Sequence, residues 1–246
     1  MDIPNFKLIQ IEQKGKISIL KLNRPEKKNA LSKPLRLEIM EALDIIKDDK
    51  KIKTLILYGG EDFFCAGFDK DEVQAMLQDT EKSQEFIEHN LVFHRKFFEF
   101  PKLMIAAING YALGGGFDIS VLCHLRVAST NAVFGHPEIG FGACPLFFPY
   151  MALVGRGKAL ELVLNTATRE TFINAEEAYR LNIINKLVEP GKALKEAIKL
   201  AKQINRSPDF AVSILLKVST LILDQVKAFE AEIGTIEQNM RAMINP

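Results

Sequence analysis

The sequence is poor in the residues that mark disulfide-rich, metal-binding and haem proteins. Among 246 residues there are three cysteines, four histidines and no tryptophan. Cys65, Cys123 and Cys144 are scattered and odd in number, which predicts buried thiols in a reducing compartment rather than a disulfide framework. His89 and His94 are five positions apart, a poor spacing for two ligands on one helix, so no metal site is predicted.

The chain also lacks an excess of charge of one sign and a long apolar run. Its formal net charge is +1, and no cluster of lysine and arginine predicts a nucleic-acid partner or a membrane surface. No apolar stretch approaches the ~20 residues of a membrane helix, and the first residues do not resemble a signal peptide. With 48% hydrophobic residues, the composition predicts an ordinary globular protein of the cytoplasm.

Strand-like and helix-like hydrophobic patterns alternate along the chain, which predicts an α/β fold. The predicted strands cover residues 6–12, 17–22, 52–58, 103–108, 125–128, 132–134 and 184–188. The predicted helices cover residues 34–47, 69–77, 83–100, 193–204, 209–221 and 225–240, and a further helix begins after Asn174 as N-cap. No internal sequence repeat accompanies this alternation.

Two glycine-bearing segments each follow a predicted strand and precede a predicted helix. They span residues 63–69, with Gly67, and residues 109–118, with the triplet Gly114-Gly115-Gly116. Glycine lets two backbones approach closely, and the first N–H groups of a helix have no acceptor within the helix. Each turn can therefore direct one N–H at the same oxygen atom, which is the arrangement of an oxyanion-binding site.

Short motifs spread along the chain resemble those of the crotonase superfamily, the enoyl-CoA hydratases and isomerases. They occur in the order and at the spacing of that family, from near residue 6 to beyond residue 220. The matching motifs are Leu22-Asn23-Arg24-Pro25 with Asn29-Ala30-Leu31; Phe64-Cys65-Ala66-Gly67-Phe68-Asp69; Asn109-Gly110-Tyr111-Ala112-Leu113-Gly114-Gly115-Gly116; Phe134-Gly135-His136-Pro137-Glu138-Ile139-Gly140; and Ala175-Glu176-Glu177-Ala178 before Leu181-Asn182-Ile183-Ile184.

The resemblance implies a crotonase-like ββα spiral core over residues 1–190, which carries the active site. It implies a C-terminal helical region over residues 191–246 that belongs to the same domain unit and makes trimer contacts. The implied substrate is an acyl-CoA thioester, which itself carries coenzyme A, so no separate cofactor is expected. A homotrimer or homohexamer is the implied assembly. The chain stops where relatives continue through one more helix, so part of the cover over the acyl-CoA is expected to differ.

The resemblance also assigns roles to individual residues. The main-chain N–H groups of Phe68 and Gly115 are implied to bind the thioester oxygen, where each donor stabilises a negatively charged transition state by about 3–4 kcal/mol. Glu138 matches the acid/base glutamate of the family, and Asp118 is implied to orient the water. Further contacts to the substrate or its CoA moiety are implied for Ala66, Asp69, Lys70, Leu113, Gly114 and Phe141. Arg24, Lys28 and Lys70 are candidates for the CoA phosphates, although a solvated side chain is the more usual explanation for each.

Hydration of a 2-enoyl-CoA is the favoured activity, with double-bond isomerisation as a close alternative. Hydratases of the family carry glutamate where Asp118 stands, and the dienoyl-CoA isomerases carry aspartate there. Those isomerases use a second aspartate eight residues after the glutamate, where this chain has Leu146. A catalytically degenerate relative that binds acyl-CoA or a partner protein is the third alternative, and Glu138 and the glycine triplet argue against it.

Two neighbouring features depart from the commoner family pattern. Cys144 stands near the position of the nucleophilic aspartate of the dehalogenase branch, and it is predicted to be a buried, inert thiol. The segment Pro145-Leu146-Phe147-Phe148-Pro149-Tyr150-Met151 is bulkier than the glycine-rich segment of most hydratases. Together with Phe68 and Phe141, this segment predicts an aromatic-lined pocket that favours flat or cyclic acyl groups.

Overall fold

The computed structural model describes residues 4–141, 143–221, 227, 230–232, 234 and 235. Strands in this part of the chain form a six-stranded and a four-stranded sheet. The strands are β1 (Ile9–Lys14), β2 (Ile17–Leu22), β3 (Thr54–Tyr58), β4 (Phe63–Cys65), β5 (Leu103–Ile108), β6 (Tyr111–Leu113), β7 (Leu125–Ser129), β8 (Val133–Gly135), β9 (Ile173–Asn174) and β10 (Lys186–Val188).

The helices surround these sheets. They are α1 (Lys33–Asp48), α2 (Lys70–Gln78), α3 (Thr80–Phe98), α4 (Gly115–Leu122), α5 (Phe148–Val154), α6 (Arg156–Asn165), α7 (Ala175–Arg180), α8 (Ala193–Ile204) and α9 (Asp209–Leu221). Single turns of 3₁₀-helix lie at Pro25–Lys27, Pro137–Phe141 and Arg169–Thr171. None of the described helices has both the length and the apolar composition that crossing a bilayer requires.

The six-stranded sheet runs in the order β1-β2-β3-β5-β7-β10, and only its β1–β2 hairpin is antiparallel. Every residue of β3 and of β5 is buried. Both faces of this sheet are covered, since α8 packs its alanines against one face while the larger hydrophobic core lies on the other. The uninterrupted apolar runs of these strands follow from that burial on two faces.

The chain returns to both sheets in each turn of a spiral. β3, β5 and β7 are neighbours in the first sheet, and β4, β6 and β8 are neighbours in the second sheet, whose order is β4-β6-β8-β9. Each of β3, β5 and β7 is thus followed directly by a short strand of the second sheet. This arrangement confirms the predicted α/β fold and its ββα spiral.

Several short elements are absent from the sequence-based prediction. Residues 63–65 and 111–113 were predicted as parts of turns, but they form β4 and β6, which pair in parallel. Three-residue strands show too little alternation to be recognised from sequence, and tertiary pairing decides them. The two-residue β9 and the helix α5 were also missed. Most of the predicted helix 225–240 lies outside the described residues, and the trimer contacts of region 191–246 stay a prediction.

Candidate active site

The two glycine turns lie against each other. A methyl group at Gly67, whose φ is +89°, would lie 2.8 Å from the carbonyl oxygen of Leu113 and 3.4 Å from the nitrogen of Gly115. Gly67 also accepts a hydrogen bond at 2.8 Å from the N–H of Leu31, which fixes the first turn beside α1. Only glycine permits this approach, so the sequence pattern at both turns has a direct steric cause.

Both predicted oxyanion donors are available in these turns. Gly115 is the first residue of α4, so its N–H has no acceptor within the helix. The preceding Gly114 uses its own N–H in a 2.9 Å bond to the carbonyl oxygen of Gly135. Within the described part of the chain, no protein acceptor is found for the N–H of Phe68 or of Gly115. The fold thus places the two predicted donors in adjoining turns.

Asp118 lies in the first turn of α4 and is buried. The Tyr150 hydroxyl donates to its Oδ1 at 3.0 Å. Burial and, after it, the negative charge of Glu138 raise the pKa of Asp118 well above its ordinary value. The neutral, protonated form of this carboxyl group is therefore favoured, as happens when two carboxyl groups share one site.

Glu138 lies in the 3₁₀ turn after β8, with 22% of its side chain exposed. Its Oε1 is 3.1 Å from Nδ1 of His136. Its Oε2 has no hydrogen-bond partner among the described residues and lies so near Gly114 that a methyl group there would be 2.7 Å away. One oxygen of Glu138 is thus held, and the other lies unpaired beside the glycine turn.

Three of the predicted substrate-contacting residues line these turns with their backbone. Ala66 donates its N–H to the carbonyl oxygen of Lys28 at 3.1 Å. The carbonyl oxygen of Leu113 faces Gly67. Gly114 has a positive φ of +52° and lies against the carboxyl group of Glu138. A fourth, Phe141, ends the 3₁₀ turn, but its side chain lies outside the described part of the structure.

The predicted polar contacts to CoA have protein partners of their own. Asp69 caps α2 by accepting the N–H of Asp71 at 3.0 Å, and it forms an ion pair with Arg24. Burial by itself would raise the pKa of Asp69, but the hydrogen bonds from Arg24 and Asp71 outweigh it and lower that pKa. Lys70 and Lys28 are exposed, and the Lys28 ammonium lies 5.2 Å from the Phe63 ring centre. Contact with CoA stays a prediction for all of them.

The Phe68 ring packs against the second turn at Gly115. A methyl group at Gly115 would lie 2.8 Å from this ring. The ring packs edge-on against Phe86 and His94, with centroid distances of 5.4 and 5.9 Å, and the Arg36 guanidinium lies 5.6 Å from its centre. Burial lowers the pKa of His94 to about 4, so this histidine is neutral at physiological pH. The contact of Arg36 with the Phe68 ring was not predicted from the sequence.

The prediction that Cys144 is buried is wrong. Its side chain is exposed, whereas Cys65 and Cys123 are buried as expected. Burial raises the pKa of both buried thiols to about 12, which keeps them protonated and inert. Cys144 precedes the two buried residues Pro145 and Leu146, so the segment enters the core one position later than the sequence pattern indicated.

Two residues that contact the site were not predicted from sequence. Tyr150 was recognised only as part of a bulky segment, yet its hydroxyl binds Asp118. Glu232 accepts hydrogen bonds from the N–H groups of Phe147 and Phe148 at the start of α5, the latter at 2.8 Å. Burial raises the pKa of Glu232. Sequence separations of 32 and 84 residues or more left no local signal for either contact. No group of metal-ligating side chains occurs among the described residues.

Comparison with known proteins assigns this site to a family. The model of the enoyl-CoA hydratase/isomerase family matches residues 12–241. The chain belongs to this family. A crotonyl-CoA hydratase of Syntrophomonas wolfei is 36% identical over 213 residues, which cover 85% of this chain and 80% of that protein. A short-chain-enoyl-CoA hydratase of Clostridium acetobutylicum is 36% identical over 232 residues, which cover 90% and 86%.

Solved structures of the enoyl-CoA hydratase/isomerase family share the fold. An enoyl-CoA hydratase structure from Geobacillus kaustophilus has a TM-score of 0.80 at 30% identity, covering 98% of this chain and 89% of that one. An enoyl-CoA hydratase structure from Bacillus anthracis has a TM-score of 0.82 at 26% identity, covering 97% and 91%. The resemblance inferred from the sequence motifs is thereby confirmed.

Proposed function

We propose that this member of the enoyl-CoA hydratase/isomerase family adds water across the double bond of a short-chain 2-enoyl-CoA in fatty acid metabolism. The observation that carries the proposal is that two unpaired main-chain N–H groups lie in adjoining turns, and that Asp118 and Glu138 lie beside the second of these turns. The names of the two relatives, a crotonyl-CoA and a short-chain enoyl-CoA hydratase, support both the reaction and the short acyl group. A preference for flat or cyclic acyl groups stays a separate prediction.

The N–H groups of Phe68 and Gly115 would hold the thioester oxygen. When water attacks C3, the electrons of the C2–C3 double bond move through C2 to the carbonyl, and negative charge collects on this oxygen. Donors already fixed in rigid turns stabilise that charge without reorganisation. The side chain at residue 68 takes no part in this binding, which is why phenylalanine is compatible with the role.

Glu138 would move the proton. Its charged form takes a proton from the attacking water as the C3–O bond forms, and the same proton then goes to C2 of the enolate. The sum of these steps is one water added, with nothing oxidised or reduced. A carboxyl group in this position contributes about 10²–10⁴-fold to the rate.

Asp118 would orient the water. With its neutral form favoured and Oδ1 accepting from Tyr150, its proton is available to donate a hydrogen bond to the water oxygen. The water then points one of its own hydrogens at Glu138. A carboxyl group with a raised pKa beside a second carboxyl group is suited to such divided roles.

No resident cofactor is needed for this chemistry, since coenzyme A belongs to the substrate. A homotrimer or homohexamer and a cytoplasmic location are proposed by analogy with the family alone.

The test is an assay of crotonyl-CoA and a 3-enoyl-CoA side by side in deuterated water, with products identified by mass. We expect a 3-hydroxyacyl-CoA from crotonyl-CoA, a loss of about 10²–10⁴-fold in kcat for Glu138→Gln, and a smaller loss for Asp118→Ala. Glu189→Gln, which changes an exposed glutamate, is the matched control and should behave as wild type.

Other outcomes would replace the proposal. A conjugated but unhydrated product from the 3-enoyl-CoA, without hydration of crotonyl-CoA, would make the protein an isomerase. Binding of both esters without turnover, unchanged by Glu138→Gln, would make it a non-catalytic acyl-CoA-binding protein.

A further inference from the structure

Three buried aromatic side chains pack against one another beneath the two carboxyl groups. Phe117 comes from α4, His136 from the residue after β8, and Tyr150 from α5. Ring centroids are 5.1 Å apart for Phe117–His136, 4.9 Å for Phe117–Tyr150 and 4.9 Å for His136–Tyr150. None of the three is more than 1% exposed. We call Phe117, His136 and Tyr150 the aromatic triad.

Each polar member of the triad holds one carboxyl group. The Tyr150 hydroxyl donates to Oδ1 of Asp118, and Nδ1 of His136 faces Oε1 of Glu138 at 3.1 Å. Since Asp118 follows Phe117 in α4, all three members of the triad are adjacent to or in contact with a carboxyl-bearing residue.

The surroundings of His136 indicate which ring nitrogen carries the proton. Its Nε2 is buried and has no hydrogen-bond partner among the described residues. A proton there would leave a buried donor unpaired, whereas a proton on Nδ1 gives Glu138 a hydrogen bond. A proton on Nδ1 therefore fits this site. The backbone N–H of His136 bonds to Thr166, both to its carbonyl oxygen and to Oγ1 at 3.0 Å, so the residue is fixed from the opposite side as well.

We propose that His136 and Tyr150 are positioning residues that bind one oxygen of each carboxyl group and thereby select the other oxygen for catalysis. In Glu138, Oε1 is held by His136, and Oε2, which lies beside Gly114, is the oxygen that moves the proton. In Asp118, Oδ1 is held by Tyr150, and Oδ2 faces the water. This inference rests on the proposed hydratase function and adds the residues that set its geometry.

The triad has a second consequence for the shorter side chain at position 118. Aspartate reaches about 1.5 Å less far than glutamate, and a displacement of about 1 Å at a reacting group can cost 10²-fold in rate. Tyr150 donates to Asp118 and is locked by its contacts with Phe117 and His136. It therefore holds the aspartate side chain in one orientation. This restricted rotation compensates for the shorter reach of aspartate.

The experiment compares three variants in the crotonyl-CoA assay. His136→Phe keeps a buried aromatic ring but removes the donor, His136→Gln keeps a donor, and Tyr150→Phe removes one hydroxyl. We expect kcat to fall about 10–100-fold in His136→Phe with KM within about threefold of wild type, a substantial recovery in His136→Gln, and a fall of about tenfold in Tyr150→Phe. Tyr179→Phe removes a hydroxyl from a half-exposed tyrosine and should change nothing.

The pH profile separates positioning from a general structural effect. Among the described residues, Asp118 is influenced by Glu138, Tyr150, Glu232 and the N–H of Leu146, and the Tyr150 hydrogen bond lowers its pKa. Removing that bond raises the pKa of Asp118 further, so the basic limb of kcat/KM should move to higher pH in Tyr150→Phe. A purely structural loss would lower the profile without moving it.

The double variant His136→Phe/Tyr150→Phe gives the final check. If the triad acts as one unit, the combined loss in kcat is smaller than the product of the single losses. Wild-type kcat and an unmoved pH profile in both single variants would overturn the proposal while leaving the hydratase function intact. Equal losses in His136→Phe and His136→Gln would overturn the assignment of His136 as a donor. Failure of the wild-type protein to hydrate crotonyl-CoA would instead overturn the proposed hydratase function.

Discussion

The first glycine turn, Gly67-Phe68 before α2, and the second, Gly114-Gly115 before α4, have the same local design but are held in place differently. Each has a glycine at positive φ, then an unpaired N–H, then a helix. The first turn is fixed by the Arg24–Asp69 ion pair and by the hydrogen bond from the Leu31 N–H to the Gly67 carbonyl oxygen. The second opens a helix whose first seven residues are all buried, so packing fixes it together with the hydrogen bond from the Gly114 N–H to the Gly135 carbonyl oxygen.

The two turns also differ in the pKa of the aspartate that lies near the start of the following helix. Asp69 caps α2, and its pKa is lowered because its bonds to Arg24 and Asp71 outweigh burial. Asp118 lies in the first turn of α4, and its pKa is raised by burial and by Glu138. The same residue type at similar helix positions thus serves as a charged anchor in one turn and as a neutral hydrogen-bonding group in the other.

The largest expected effect comes from breaking the steric contact between the turns. In Gly116→Ala the new methyl group would lie 2.4 Å from the carbonyl oxygen and 2.7 Å from Cβ of Cys65. Since backbone cannot move aside as a side-chain end can, we expect the free energy of unfolding to fall by about 3 kcal/mol, with loss of activity. Thermal and urea unfolding measure the change.

The control for this substitution is Gly157→Ala in α6, where nothing lies within 4 Å of the new methyl group. This helical alanine should be neutral or stabilising by up to about 1 kcal/mol. Equal stabilities for the two variants would contradict the view that packing fixes the second turn.

A substitution two residues earlier should spare the fold and disturb the chemistry. Gly114→Ala places a methyl group 2.7 Å from Oε2 of Glu138, the movable end of a side chain. We expect kcat to fall about 10–100-fold because Glu138 is displaced. Gly155→Ala is the matched control, since Gly155 also has positive φ but open space around it. Because both residues have positive φ, both variants should lose similar amounts of stability, of about 1–3 kcal/mol. An active Gly114→Ala would show that Oε2 lies elsewhere during catalysis.

The two acids predict opposite dependences of stability on pH. Because the folded pKa of Asp118 is raised, its contribution is fully present below the unfolded value of 3.8 and is lost as pH rises toward the folded pKa. Asp118→Asn is neutral at every pH and keeps an acceptor for Tyr150. Its free energy of unfolding should therefore rise relative to wild type as pH increases from 3.8 toward the folded pKa of Asp118, by about 1.4 kcal/mol for each unit of pKa difference.

Asp69→Asn should follow the opposite course. The folded pKa of Asp69 is lowered, so its contribution is present above the unfolded value of 3.8 and is lost as pH falls through the folded pKa. The variant should be less stable than wild type by a constant amount at neutral pH, and this deficit should shrink in acid. Urea unfolding at a series of pH values measures both variants. Parallel curves for the two would refute the contrast between the acids.

The smallest expected effect concerns the ion pair itself. Arg24→Met removes the partly buried pair with Asp69 and should cost about 1 kcal/mol of stability. Lys27→Met removes the exposed Lys27–Asp71 pair and should cost nearly nothing. Urea unfolding at low and high salt is the measurement. A larger cost for Lys27→Met than for Arg24→Met would contradict the role of Arg24 in fixing the first turn.

The sequence alone determined the family by its motifs, the α/β class, the two glycine turns and the positions of Glu138 and Asp118. These features depend on local chemistry: positive φ requires glycine at Gly67 and Gly114, and long apolar runs such as residues 103–108 require burial on both faces. The bounds of β2, β5, α8 and α9 were predicted correctly for the same reason. Local rules act over a few residues, so one sequence is enough to apply them.

Only the tertiary structure decided which partners these residues have. Tyr150 reaches Asp118 across 32 positions of sequence, and Glu232 reaches the start of α5 across 84 or more. The same holds for Asp69, whose carboxylate pairs with Arg24 rather than standing free, and for Cys144, which is exposed rather than buried. Contacts of this kind depend on which distant segments of the chain lie next to each other in the folded protein. Neither hydrophobic periodicity nor residue type predicts that arrangement.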